Sequence, residues 1–436
     1  MNAFPDEGAP RGYASLLRNR DFLKLFSAGV GSVLGGSIAQ VCLVWLIFTA
    51  THSAIDIAYF GVVGTVAGVA FSLVGGTLVD RYDRRRLMIL ADFARAVATA
   101  GLLVVLLVSG FNLLAILLEE FVVSAFSVLF NPAEQSFLPA LVTAESLPDA
   151  NGLVRSSRNA AGFLGASAGG LLIVSVGSVP GVGALAAAFV ASGLLISLIA
   201  RRPSPGTDPT SSTAPRGHFL TDLREGFAWL YSSRGLFQLT ILATFFNFFS
   251  TIFGTFLVFY SAELLHGNAL VYASLLAASV AGSGIGALLV GRLRAVRYAG
   301  KAWVLPYGVA SAGCVLLLTS FPSVFLAVPL NFLLGLCGGF AGTAWLTAAQ
   351  LLVPSEMQGR YFGIDGLGSW VILPLGTILG GLLVATMGVG NTYLLAGAGW
   401  MLAGLLFLVP RALWRLGYPP EPLPEGRGVV EHGATA

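Results

Sequence analysis

Apolar residues in this chain come in long blocks separated by short polar turns, and a block of roughly 20 residues is what a helix needs to cross a bilayer. The blocks fall near 22–50, 54–79, 87–109, 112–131, 157–176 and 181–200, and then near 236–262, 269–291, 302–320, 323–352, 361–387 and 391–413. The pattern predicts an all-α membrane protein of twelve transmembrane helices in two six-helix bundles. Between the halves, residues 201–218 are rich in Pro, Ser, Thr and Gly and read as a flexible linker. From Phe219 to Tyr231 apolar residues recur at helical spacing, which predicts a short amphipathic surface helix. The expected organisation is an N-terminal bundle over 1–200, a linker with its helix over 201–235, and a C-terminal bundle with a tail over 236–436.

Composition agrees with this. Hydrophobic residues make up 56% and charged residues 10% of the 436 residues, against about 25% charged in an ordinary soluble domain. The mean hydropathy is +0.83. Cys42, Cys314 and Cys337 all fall inside apolar blocks without metal-site or disulfide spacing, and the four histidines fall in predicted loops or the tail. No cofactor or metal is expected. The N-terminus shows no secretory cleavage pattern, so the first helix is expected to stay in the mature protein.

Basic residues fix the orientation, because Lys and Arg collect on the cytoplasmic side. With a cytoplasmic N-terminus, all 24 fall on that side and no predicted outer loop contains one. Both termini are therefore expected in the cytoplasm, with the chain a multi-pass protein of the cytoplasmic (inner) membrane. The formal charge of +3 then serves topology and contact with anionic lipid rather than nucleic acid.

The halves repeat at an offset near 211. Gly165-x-x-x-Gly169-Gly170-Leu171-Leu172 meets Gly376-x-x-x-Gly380-Gly381-Leu382-Leu383, and Gly75, Arg81 and Arg86 meet Gly286, Arg292 and Arg297. Asp80 meets Gly291, so the acid of this loop is confined to the first half.

That loop, Gly75-Gly76-Thr77-Leu78-Val79-Asp80-Arg81-Tyr82-Asp83-Arg84-Arg85-Arg86, packs six charges into a turn between two spans. Read as Gly76-x-Leu78-x-Asp80-Arg81-x-x-Arg84-Arg85, it resembles the signature loop between helices 2 and 3 of the major facilitator superfamily. Parallel six-helix repeats fit that fold. Asp83, Asn131-Pro132-Ala133, Leu147-Pro148-Asp149-Ala150-Asn151 and Pro354-x-x-x-x-Gly359-Arg360 resemble the bacterial exporter group of macrolide-efflux and enterobactin-exporter proteins. The resemblance covers about Leu17 to Arg415.

No phosphate-cradling loop is present, so transport energy is expected from a gradient, and ionisable residues inside spans are the first candidates. Glu119 and Glu120 lie about eight residues, roughly 12 Å, inside the fourth span. Ser124, Ser127 and Asn131 continue a polar stripe from Glu120, whereas Val123 and Phe126 lie below Glu119. Glu120 is the favoured cavity-facing, proton-coupling acid, with Glu119 second; hydrogen bonding to a neighbouring helix in the protonated form is the alternative role for either.

The resemblance implies that helices 1, 4, 7 and 10 line a central cavity. Gln40, Asn247 and Asn331 are their polar candidates, and Phe249, among the phenylalanines of helix 7, is an apolar one. Few polar anchors among aromatics suit an amphiphilic ligand better than a sugar. Asp92 and Arg95, three apart on one helix face, are candidates to join Asp80, Arg81 and Arg84 in an inner-gate charge network; interfacial anchoring explains them equally well. Gly165, Gly169 and Gly170 resemble the superfamily's glycine-rich antiporter element, although Ala166 stands where proline is usual. Close helix packing accounts for the same glycines.

The expected function is proton-coupled export of amphiphilic small molecules by alternating access, by a monomer that is not an enzyme and that works with protons, a small-molecule substrate and the lipid bilayer. A metabolite importer or facilitator on the same fold, and a membrane sensor or lipid-handling protein, are the alternatives.

Overall fold

The computed structural model describes residues 13–143, 146–200, 219–293, 301 and 303–408. The linker over 201–218, both chain ends, the burial of Gly76 and the side chains of Asp80 and Arg81 lie outside what is described. After a short α1 (Tyr13–Arg18) come α2 (Arg20–Thr51), α3 (Ala54–Arg81), α4 (Arg84–Ser109), α5 (Leu113–Phe137), α6 (Leu147–Val176) and α7 (Val179–Ser197). The second half holds α8 (Phe219–Ser232), α9 (Arg234–Thr255), a short α10 (Leu257–Phe259) and α11 (Ala269–Arg292). A π-helical stretch over Trp303–Ala310 leads into α12 (Ser311–Ser320), followed by α13 (Val324–Leu352) and α14 (Ser355–Leu406). Among the described residues, ten helices are long and apolar enough to cross a membrane.

Side-chain caps set the starts of several helices. Asn19 accepts from the amides of Asp21 and Phe22, Ser53 from Asp56, Asp83 from Arg86 and Asn112 from Ala115. Asp83 thus begins α4 directly after the turn. The ends differ: α2 stops at His52, in the left-handed conformation with φ 49°, and α14 is broken at Gly388, where φ is 79° and ψ 162°.

Two boundaries depart from the hydropathy blocks for one reason. α5 continues past Pro132 to Phe137, and α6 begins ten residues before its apolar block, with Pro148 in its first turn. The extensions carry Glu134 of α5 and Asp149 and Arg155 of α6, whose polarity hides helix from a hydropathy window although backbone hydrogen bonds continue through them.

Lipid tails supply little hydrophobic drive between helices, so packing depends on close fit. α11 and α13 meet backbone to backbone through Gly282, Gly286, Gly335 and Gly339; a Cβ at Gly335 would lie 2.7 Å from the carbonyl carbon of Ser279. Between the halves, α3 meets α14 and α6 meets α11. A Cβ at Gly381 would lie 2.9 Å from that of Ala58, and Phe48 meets Phe259 edge-on at 5.0 Å. These close contacts lie towards the end of the molecule that carries His52 and Gly388.

Candidate functional site

A cavity of about 630 Å³ sits inside the first half and reaches Gly254 and Thr255 of α9 and Tyr272 and Leu276 of α11. Its walls mix apolar residues, Leu43, Val44, Ile57, Phe60 and Leu185 among them, with polar and charged ones that include Gln40, Arg95, Glu119, Glu120, Ser127, Asn131 and Arg158. Glu120 accepts a 2.7 Å hydrogen bond from Ser124 Oγ and lies against Gly64 of α3. Glu119 is buried and accepts from Thr99 Oγ1 of α4, also at 2.7 Å. Neighbouring helical positions diverge by about 100°, which assigned the cavity to Glu120 alone in sequence. Both carboxylates nonetheless line it.

Two ion pairs lie among the same helices. Arg95 is paired with Asp92, which also accepts from Ser192 Oγ of α7 at 2.7 Å. The Arg95 guanidinium lies between the rings of Phe130 and Phe189, 4.5 and 4.4 Å from their centroids, a cation–π sandwich that holds a charge in an apolar place. Arg158 of α6 is paired with Glu134 of α5. Gly29 of α2 makes room for this pair: a Cβ there would sit 2.7 Å from Glu134 Oε1 and 3.0 Å from Arg158 Nη2. Sequence reasoning missed Glu134 and Arg158. The signal was the next step of the polar stripe, since Glu134 follows Asn131 by three residues on the same face.

The other candidates are placed elsewhere. Asn331 is buried, donates to the Ala327 carbonyl at 2.9 Å, and lines a second cavity of about 260 Å³ with Ser250, Phe253, Tyr307 and Trp400. It does not line the larger one; Gly254 and Leu276 are walls of both. Phe249 packs edge-on against Phe248 at 5.3 Å and against Gly399. Asn247 lies one turn before Ser250 and Thr251, whose hydroxyls donate to its carbonyl.

Loop arginines close helix ends, where carbonyls lack partners and the dipole favours a cation. Arg84 donates to the Ser136 carbonyl at 2.9 Å, near the end of α5, and Arg85 to those of Ile196 and Ser197, at the end of α7. Asp92 and Arg95 are bound to Ser192 and Ser127 deeper in the helices, so Arg84 and this pair serve separate contacts. Gly165 and Gly169 pack on the Leu34 and Ile38 carbonyls of α2, and Gly170 on Ala269 of α11.

A family profile described as transmembrane secretion effector matches residues 12–414. Macrolide efflux protein A of Streptococcus pyogenes is 25% identical, over 86% of this chain and 92% of that protein. The multidrug efflux pump Tap of Mycobacterium bovis is 26% identical, over 93% of this chain and 96% of the pump. Among solved structures, a peptide transporter POT in complex with sulfate superposes with a TM-score of 0.71 at 13% identity, over 93% of this chain and 97% of that one. The nucleoside transporter NupG gives 0.69 at 13% identity, over 89% and 98%.

Proposed function

The chain belongs to the transmembrane secretion effector family of the major facilitator superfamily, as a multi-pass membrane transporter, and from that premise we propose that it exports amphiphilic small molecules in exchange for protons. The observation that carries the proposal is the pair of carboxylates, Glu119 and Glu120, lining one cavity of mixed apolar and polar walls inside membrane-spanning helices. A bare carboxylate there is costly, so either a proton or a cationic ligand neutralises it, which couples the two ligands through one site. The efflux names of the macrolide and multidrug relatives support amphiphilic cargo.

The architecture we propose has twelve membrane helices in two bundles, over 1–200 and 236–436, with 201–235 as the connecting segment. Ten helices qualify directly, the shorter Val304–Ser320 adds one, and the break at Gly388 divides α14 into two. The protein is a monomer in the inner membrane with both termini cytoplasmic. Inverted vesicles energised with a pH gradient test this reading: dye or macrolide uptake that collapses with a protonophore supports it. Equilibration indifferent to the gradient points to a facilitator.

A further inference from the structure

We propose that the groove between α6 and α11 binds an anionic phospholipid, its headgroup phosphate on Arg155, Ser156 and Asn159 and an acyl chain along Phe163, Val280 and Ile285. The inference needs only that the chain spans a membrane and is independent of what it transports. The two helices belong to different halves and meet lengthwise. Near the end of α6, Gly170 packs on Ala273 without room for a Cβ, and a Cβ at Gly162 would lie 3.5 Å from Val280 Cγ1. Closer to the start of α6 the contact loosens: a Cβ at Gly284 would meet only the Asn159 side chain, 3.8 Å from Nδ2, and one at Gly152 nothing within 4 Å. The helices part here, and the gap is a cavity of about 470 Å³ with walls from both.

Charge and depth select the occupant. Arg155 is the one charged residue among those lining the groove; it is exposed there and makes no ion pair or hydrogen bond among the described residues. In the larger cavity, by contrast, Arg95 is matched by Asp92 and Arg158 by Glu134. An unmatched guanidinium between membrane helices attracts an anion, and its planar fork suits the oxygens of a phosphate. Ser156 and Asn159, exposed in the same wall, add hydroxyl and amide donors. Arg155, Asn159 and Phe163 follow one another four residues apart along one face of α6, so the charge and the ring are about 12 Å apart along the axis. Arg155 stands just ahead of the apolar block that begins near 157. Phe163 and Ile285, 37% and 45% exposed, offer apolar wall beyond it, at the depth of lipid tails. A soluble anion would use the polar part alone, whereas an anionic lipid uses both. A zwitterionic headgroup would bring a second cation beside Arg155, where no lining residue is a carboxylate.

The test uses the full-length protein in phosphatidylcholine vesicles that carry a trace of one photoactivatable probe, phosphatidylglycerol or phosphatidylcholine with the same diazirine-bearing acyl chain. Adducts are mapped by mass spectrometry to peptides of α6 and α11. The phosphatidylglycerol probe should label these helices at least about 5-fold more than the phosphatidylcholine probe, the equivalent of about 1 kcal/mol for one basic residue. Arg155→Gln should remove most of that preference, and Arg155→Lys, which keeps the charge, should retain at least about half of it. Arg18→Gln, at an exposed arginine that does not line the groove, should leave it unchanged. Glutamine is a good helix former and Arg155 has no partner among the described residues to lose, so the fold is kept. Equal labelling by the two probes, no labelling of α6 and α11, or equal losses in Arg155→Gln and Arg18→Gln would overturn the site. Suppression by inorganic phosphate as effective as that by unlabelled phosphatidylglycerol would make it a soluble-anion site instead. Displacement of the label by a transported dye or macrolide would make the groove a ligand passage and equally sink the proposal.

Discussion

Glu120 and Gly64 are fitted to each other: the carboxylate on α5 occupies the space beside α3 that a side chain at position 64 would fill. A Cβ at Gly64 would come within 3.2 Å of the carboxyl carbon of Glu120 and of Ser124 Oγ, and closer still to Oε1. Gly64→Ala should therefore push the carboxyl away from Ser124, at the 1–3 kcal/mol typical of overpacking, and slow gradient-driven transport about 10-fold. Gly68→Ala, one turn along the same helix with nothing within 4 Å of its Cβ, should transport like wild type. Equal rates for the two variants would show that the Glu120–Gly64 fit does not matter to the cycle.

Glu120→Gln keeps the shape and the Ser124 contact but carries no exchangeable acidic proton. Export driven by a pH gradient should be lost while the protein stays folded. Glu119→Gln should be milder, because the polar stripe of Ser124, Ser127 and Asn131 continues from Glu120 whereas Val123 and Phe126 lie below Glu119. Uptake into inverted vesicles with and without a protonophore measures both, and full coupled transport by Glu120→Gln would move the coupling acid elsewhere.

The Asp92–Arg95 pair is expected to act on stability. Asp92→Asn leaves a cation buried between Phe130 and Phe189 without its counter-charge, and breaking a buried pair costs about 3–5 kcal/mol. Arg84→Ala removes a hydrogen bond to one helix-end carbonyl, worth about 1 kcal/mol. Thermal unfolding in detergent should rank Asp92→Asn far below Arg84→Ala and Arg84→Ala just below wild type; the reverse order would contradict the contacts.

Hydropathy exposed most helices because lipid imposes a strict length and polarity on each, and the blocks at 54–79 and 269–291 end within about two residues of α3 and α11. It failed where a helix must be polar to do its work. Glu134 sits on the hidden extension of α5 and Arg158 at the very start of the block predicted for α6, and their partnership depends on Gly29 of a third helix, a relation no local pattern contains. Glu119, Glu120 and Gln40 were legible as polar residues in apolar blocks. The separation of Asn331 into its own cavity was not, since it follows from how α9, α11 and α13 approach one another.

Which side of the membrane the closed end faces can be settled chemically. The halves touch closely where Ala58 meets Gly381, where Phe48 meets Phe259, and where Trp45 stacks on Tyr272 at 6.3 Å. If the N-terminus is cytoplasmic, as we propose from the one-sided basic residues, this closed end faces outward and the cavity serves the cytoplasm. In a background without Cys42, Cys314 and Cys337, His52→Cys and His266→Cys should react with an impermeant thiol reagent in intact cells. Thr210→Cys and Glu425→Cys should react only once the membrane is opened. The double variant Ala58→Cys, Gly381→Cys should then cross-link on oxidation, since 2.9 Å between the Cβ positions lies within about 1 Å of the ordinary disulfide spacing. Transport should stop in the oxidised protein and return with a reductant, because the outer end must part for ligand to leave. Undiminished transport by fully cross-linked protein would mean that Ala58 and Gly381 never separate, and labelling of position 210 from outside would invert the assignment of sides.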